Sequence, residues 1–131
     1  VMVAAHMDEI GVMVTHITPA ADVPEAGPMA VVGLGKGTAI KVKDLGMIAH
    51  AGLVWLMKKR AGEEGIPYQL EGLERGSTDA RAMQIASAGS IAGCISIPTR
   101  YAHSQSETVD TADVAASIEL LVELLSKEID L

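Results

Sequence analysis

Two histidine segments hold the residues best suited to chemistry. His6-Met-Asp8-Glu9 follows the apolar run Val1-Met-Val-Ala-Ala5, and Arg100-Tyr-Ala-His103-Ser104 follows the apolar run Ile91-Ala-Gly-Cys-Ile-Ser-Ile97. Strand ends in α/β sheets are where ligand-binding residues collect. A two-residue step puts His6 and Asp8 on the same side of an extended chain, and a metal-ligating imidazole usually hands its other ring N–H to a carboxylate. The chemistry such a pattern supports is metal binding with a carboxylate beside it. Taken alone, each segment also suits a structural or surface histidine.

The remaining polar residues offer less. His16 reads as a further ligand or as a strand-end surface residue, and His50 in Met47-Ile-Ala-His50 suits packing or capping near a helix start. Asp44 and Glu107 are expected to be solvated carboxylates. Ser104 and Ser106 lack a base-and-orienter arrangement, and Cys94 has no basic neighbour to lower its pKa, so nucleophilic catalysis is not expected. Leu34-Gly-Lys-Gly-Thr38 lacks the full G-x-x-x-x-G-K-S/T spacing of a phosphate loop and reads as a turn.

These residues need a scaffold, and the pattern predicts one. Val1 to Ala5 and Gly11 to His16 read as strands, and Thr38 to Lys43 alternates as a half-buried edge strand would. A connecting region punctuated by Pro19, Pro24 and Pro28 precedes it, with a short strand over Met29 to Val32. A helix from Met47 to Ala61 follows, with Ile48, Leu53, Leu56 and Met57 sharing a face and Gly65 and Pro67 ending it. Pro67 to Leu73 reads as a strand. Ser77 or Thr78 caps a helix to Ala88, stopped by Gly89, and Ile91 to Ile97 is a buried strand. Asp110-Thr-Ala-Asp113 resembles a capping box before a helix with Val114, Ile118, Leu121, Val122 and Leu125 on its apolar face. Strands alternating with helices imply an α/β fold, a mostly parallel sheet with helices on its faces.

Composition bounds the rest. A chain of 131 residues is about one domain, and 49% hydrophobic against 21% charged residues argues for a globular protein. With no Phe, one Trp and two Tyr the core must be aliphatic. A net charge of −7 disfavours a nucleic-acid partner, whose phosphates need clustered Lys and Arg, and none is expected. No apolar stretch approaches the roughly 20 residues that span a bilayer, so no membrane partner is expected, and no secretory leader is visible. The single cysteine points to a reducing, cytoplasmic location. The start at Val1 reads as the middle of a core strand, as though upstream residues had been trimmed.

In order along the chain, Val3-Ala-Ala-His-Met-Asp-Glu-Ile-Gly-Val-Met-Val-Thr-His16, Leu34-Gly-Lys-Gly37, Gly76-Ser-Thr-Asp-Ala-Arg-Ala82 and Cys94-Ile-Ser-Ile-Pro-Thr-Arg-Tyr-Ala-His-Ser104 resemble segments of the M42 metallo-aminopeptidases. The resemblance implies a reduced version of the zinc-peptidase catalytic domain that removes N-terminal residues from peptides. It implies a divalent metal, zinc or cobalt, with His6 and His103 as ligands to two ions and Asp8 orienting the site. Thr78 and Asp79 match a loop near that site, with Ser77 where a glycine is usual. A peptide substrate and homo-oligomeric association are the partners it implies.

The departures matter as much. The family's Asp-Asn-Arg segment with its bridging aspartate, and its Glu-Glu pair with the catalytic base, have no counterpart here. His16 stands where a metal-binding aspartate precedes a Val-Thr-Pro-Ala stretch. The expectation is therefore a single internally truncated domain, joined near Thr15-His-Ile17, without the family's inserted dimerisation domain. Two metals held about 3.5–4 Å apart need bridging ligands and a base, so weak or absent activity is expected. The alternative is a non-catalytic metal-binding or structural remnant of the fold.

Overall fold

The computed structural model describes residues 2–5, 11–23, 31–86, 89–129 and 131. The chain runs β1 (Met2–Ala5), β2 (Gly11–Pro19), β3 (Thr38–Lys43), α1 (Ala51–Glu64), β4 (Tyr68–Gly72), α2 (Ala80–Gln84), β5 (Ile91–Arg100), β6 (Thr108–Val109) and α3 (Thr111–Ser126). One sheet has the order β1-β2-β5-β3-β4, with β6 paired to β5. Its two longest ladders, β2–β5 and β3–β4, are parallel, and β1–β2, β3–β5 and β5–β6 are antiparallel. This is the expected α/β class.

β5 is the central strand because its sequence is apolar or small on both faces, the mark of a strand covered twice. One face carries Ile95, paired with Ile40, into a core with Met13, Leu53, Leu56 and Met57 of α1, and Leu120 and Leu124 of α3. The other carries Ala92 and Cys94 against Met47, Ala49 and Ala80 beside α2. Each fully buried aliphatic side chain contributes roughly 1.5–3 kcal/mol, so the larger cluster under α1 and α3 dominates the stability.

Several local expectations need correction. β3 is not an edge: it lies between β5 and β4, and its alternation reflects a buried Lys41 rather than a solvated face. α1 begins at Ala51, not Met47, because the Asp44 carboxylate accepts hydrogen bonds from Gly46 N (2.8 Å) and Met47 N (2.7 Å) and holds that stretch in a turn. Ile48 is therefore exposed, while Leu53, Leu56 and Met57 are buried as expected. Gly65 closes α1 in the left-handed conformation. α2 is only five residues long, with Asp79 at its start and no side-chain cap. Val31 and Val32 form no strand, and Met29 lies outside the described residues.

α3 departs most. Its buried residues are Asp113, Ala116, Ser117, Leu120 and Leu124, whereas Ile118, Val122 and Leu125 of the expected face are exposed. Asp110 caps it by accepting from Ala112 N at 2.8 Å. Asp113 does not complete a capping box; its carboxylate accepts from Gly35 N (2.8 Å) and Gly37 N (2.7 Å) instead. Gly37 sits at φ 92°, and a Cβ there would lie 2.0 Å from the Pro67 carbonyl oxygen, so only glycine fits. At the other end of α3, buried Arg60 donates to the carbonyls of Glu123 (2.8 Å), Leu124 (3.1 Å) and Glu128, neutralising the helix's unpaired C-terminal acceptors.

Candidate functional site

The parallel β2–β5 ladder runs from Gly11↔Ile91 to Pro19↔Thr99, so both strands deliver their C-terminal ends to one edge of the sheet. Ala20 N extends the pairing to Thr99 O at 2.9 Å. Just beyond, the Arg100 guanidinium grips Asp22 through Nε (2.9 Å) and a second nitrogen. The hydrogen bonds from Arg100 hold the Asp22 carboxyl below its usual value. This exposed clasp ties the segment after β2 to the end of β5.

From Arg100 the chain enters a tight loop that carries His103. Tyr101 (φ 56°) and His103 (φ 67°) both adopt the left-handed region, which costs a non-glycine residue roughly 1–2 kcal/mol. The loop is held by Ser104 N to Tyr101 O at 3.0 Å, by Ser106 N to Ser104 Oγ at 3.2 Å, and by His103 N to Glu107 Oε1 at 2.5 Å. β6 closes it by pairing Thr108 with Arg100 and Val109 with Thr99. Glu107 is exposed, as expected of a solvated carboxylate, and also braces the loop. The His103 imidazole is exposed and makes no hydrogen bond or ion pair among the described residues.

His16 pairs with Ser96 in the β2–β5 ladder and is half-buried. Its ring Nδ1 contacts the Ile17 carbonyl oxygen. A carbonyl can only accept, so Nδ1 is the donor in this contact. His50 is exposed at the start of α1 and its side chain makes no cap.

Asp44, expected to be solvated, organises the loop before α2. It is 7% exposed, and besides Gly46 and Met47 it receives Thr78 N (2.8 Å), Thr78 Oγ1 (3.1 Å) and Ser77 Oγ (3.3 Å). Burial pushes its carboxyl up, but the donors from Gly46, Thr78 and Met47 together outweigh it and leave it lowered. The Asp-x-Gly step at Asp44 to Gly46 is a local turn signal; the Thr78 partner has no local signature. Asp79 is exposed at the start of α2.

His6 and Asp8 lie outside the described residues. Among the described residues, no group of three or more His, Cys, Asp or Glu comes together to hold a metal ion. His16 and His103 offer single imidazole donors on separate elements, so the described residues by themselves do not make up a divalent-metal centre.

The mixed sheet with helices packed on it is an α/β domain, and comparison with known proteins gives its family. The M42 glutamyl aminopeptidase family matches residues 16–120, and the chain belongs to that family. Lysyl aminopeptidase of Pyrococcus furiosus is 33% identical over 141 aligned positions, covering 96% of this chain and 40% of that protein. An aminopeptidase from the archaeon Desulfurococcus kamchatkensis superimposes with a TM-score of 0.83 at 34% identity, over 89% of this chain and 34% of that one. The Pyrococcus horikoshii TET1 peptidase, which can assemble into a tetrahedron or a large octahedral shell, matches with a TM-score of 0.70 at 30% identity, over 86% of this chain and 32% of its own. The chain spans between 33% and 40% of the length of the curated relatives it matches.

Proposed function

We propose that this chain is a reduced M42 aminopeptidase domain in which His6 and His103 are metal ligands and Asp8 orients the site. The ion is zinc or cobalt, the substrate class is peptides with a free N-terminus, and the chain alone hydrolyses them poorly. The observation that carries this reading is the His103 loop. Two non-glycine residues in the left-handed region, braced by Glu107, present an exposed imidazole just past the central strand that has no partner among the described residues, and strain of this kind concentrates at functional sites. Poor hydrolysis follows from the sequence, which has no Asp-Asn-Arg segment and whose one Glu-Glu step, Glu63-Glu64, lies at the end of α1 in exposed ion pairs with Lys59 and Lys127.

We place the chain in the cytoplasm on the strength of its single cysteine, Cys94, which is free and buried. No helix among the described residues is long and apolar enough to cross a membrane. Homo-oligomerisation is part of the proposal, supported by the shells formed by the TET1 peptidase; the inserted dimerisation domain is taken to be missing. Release of amino acids from Leu- and Glu-anilide substrates tests the reading. A rate far below that of a full-length family member, abolished by chelator, is expected. A comparable rate would overturn the claim of poor hydrolysis, and weak turnover indifferent to chelator would overturn the metal assignment.

A second reading, non-catalytic metal binding that includes His16, is favoured by one observation: its Nδ1 is engaged by the Ile17 carbonyl, the kind of contact that orients a ligating imidazole. Zinc should then raise the melting temperature of the wild-type chain, and His16→Ala should abolish that rise. Zinc-independent melting would dismiss it.

A further inference from the structure

α3 carries two apolar stripes, and the fold uses one of them. Ala116, Leu120 and Leu124 face the core, while Ala115, Ile118, Val122 and Leu125 all face solvent, with Ile118 and Val122 57% and 54% exposed. The three-four-three spacing of that outer stripe is the pattern by which one helix seats against another. A helix covering a sheet needs only a single stripe, so the second is surplus to the described fold.

Between α3 and the end of α1 lies a groove of about 310 Å³, lined by Glu64, Ile66, Ile118, Glu119, Val122 and Glu123. Its walls are aliphatic and its rim is acidic. Lys127 bridges Glu64 at 2.9 Å and also pairs with Glu123, whereas Glu119 has no ion-pair partner among the described residues. Lys127 is shared between Glu64 and Glu123, and the Arg60 guanidinium nearby is turned to backbone carbonyls, so Glu119 stands as the uncompensated negative charge of the rim.

We propose that this face docks an amphipathic helix whose aliphatic residues recur at three- and four-residue spacing and are flanked by lysine or arginine. Aliphatic side chains from such a helix fill the space between Ile118 and Val122, and its cations meet Glu119 and the rim. A second copy of this chain fits less well, since it would bring its own Glu119 and Glu123 and a further net charge of −7 to the same seam. The inference stands apart from the aminopeptidase reading and does not depend on it.

Fluorescence anisotropy with a labelled helical peptide of leucines and lysines (LKKLLKLLKKLLKL), and with its glutamate counterpart, tests the proposal. The wild-type chain should bind the lysine peptide and not the glutamate one. The pair Ile118→Ser and Val122→Ser, both at exposed positions, should weaken binding about tenfold or more with melting unchanged. Glu119→Lys should weaken it a few-fold and flatten its salt dependence. Equal binding of both peptides, or lysine-peptide binding untouched by the serine pair, would overturn the proposal. A wild-type dimer in sedimentation that the serine pair converts to monomer would assign the face to a second copy instead.

Discussion

Lys41 and Glu71 face each other across the β3–β4 ladder with Nζ 2.5 Å from Oε1, their side chains 0% and 2% exposed. Thr18 donates to the same carboxylate oxygen, and Oε2 has no partner among the described residues. Removing the cation alone strands a buried carboxylate. Lys41→Met should therefore cost roughly 3–5 kcal/mol, while Lys41→Met combined with Glu71→Leu should recover most of that loss. A urea-unfolding double-mutant cycle measures both; a single-variant loss under about 1 kcal/mol would show that the pair is not shielded from water.

Asp44 should make stability depend on acid. Its carboxyl is lowered in the folded chain from an ordinary value of 3.8, so the folded state binds that proton less tightly than the unfolded state. The contribution is fully present above 3.8 and is lost as pH falls through the lowered folded value. The stability gap between wild type and Asp44→Asn should be flat near neutrality and shrink below that point. A gap that widens with acid would contradict the assignment.

Burial pushes the Cys94 thiol up to about 11, and its side chain is wholly covered. Little thiolate forms near neutrality, and what forms is out of reach. Iodoacetamide should leave the folded chain unmodified at pH 8 and alkylate it promptly in urea, as intact mass will report. Fast labelling of the folded chain would mean that the α2 face opens readily.

Two glycines should respond to alanine with opposite signs. Gly37→Ala forces a Cβ onto the Pro67 carbonyl at a positive φ and should cost about 2 kcal/mol or more. Gly62 lies in α1 with nothing within 4 Å of its added Cβ, so Gly62→Ala should gain about 0.5–1 kcal/mol. Thermal melting of the two variants side by side checks the sign of each.

Strand positions and the helix cap were legible where a local signal exists. The bounds of β3 and the Asp110 cap follow from residues adjacent in sequence. α3 shows the limit: Val114, Ile118, Leu121, Val122 and Leu125 make as good a helical stripe as the one the fold buries. The choice between them is made by small inward residues, Ala116 and Ser117, and by Asp113 reaching a loop far back in the chain. The same holds at the candidate site. The histidine motifs are readable as text, but the Glu107 brace and the Asp44–Thr78 contact depend on how loops fold back, which no periodicity encodes.

The Asp113 clasp on Gly35 and Gly37 also bears on how the chain reaches this state. It joins residues 78 and 76 positions apart, whereas the other hold on the glycine turn, the Gln69 amide on Gly33 and Gly37, comes from about half as far away, so the turn is fully anchored only once α3 has formed. The turn leads directly into β3, and β3 separates β5 from β4. Docking of α3 should accordingly be a late step that locks the interior of the sheet, since it closes the longest of these contacts.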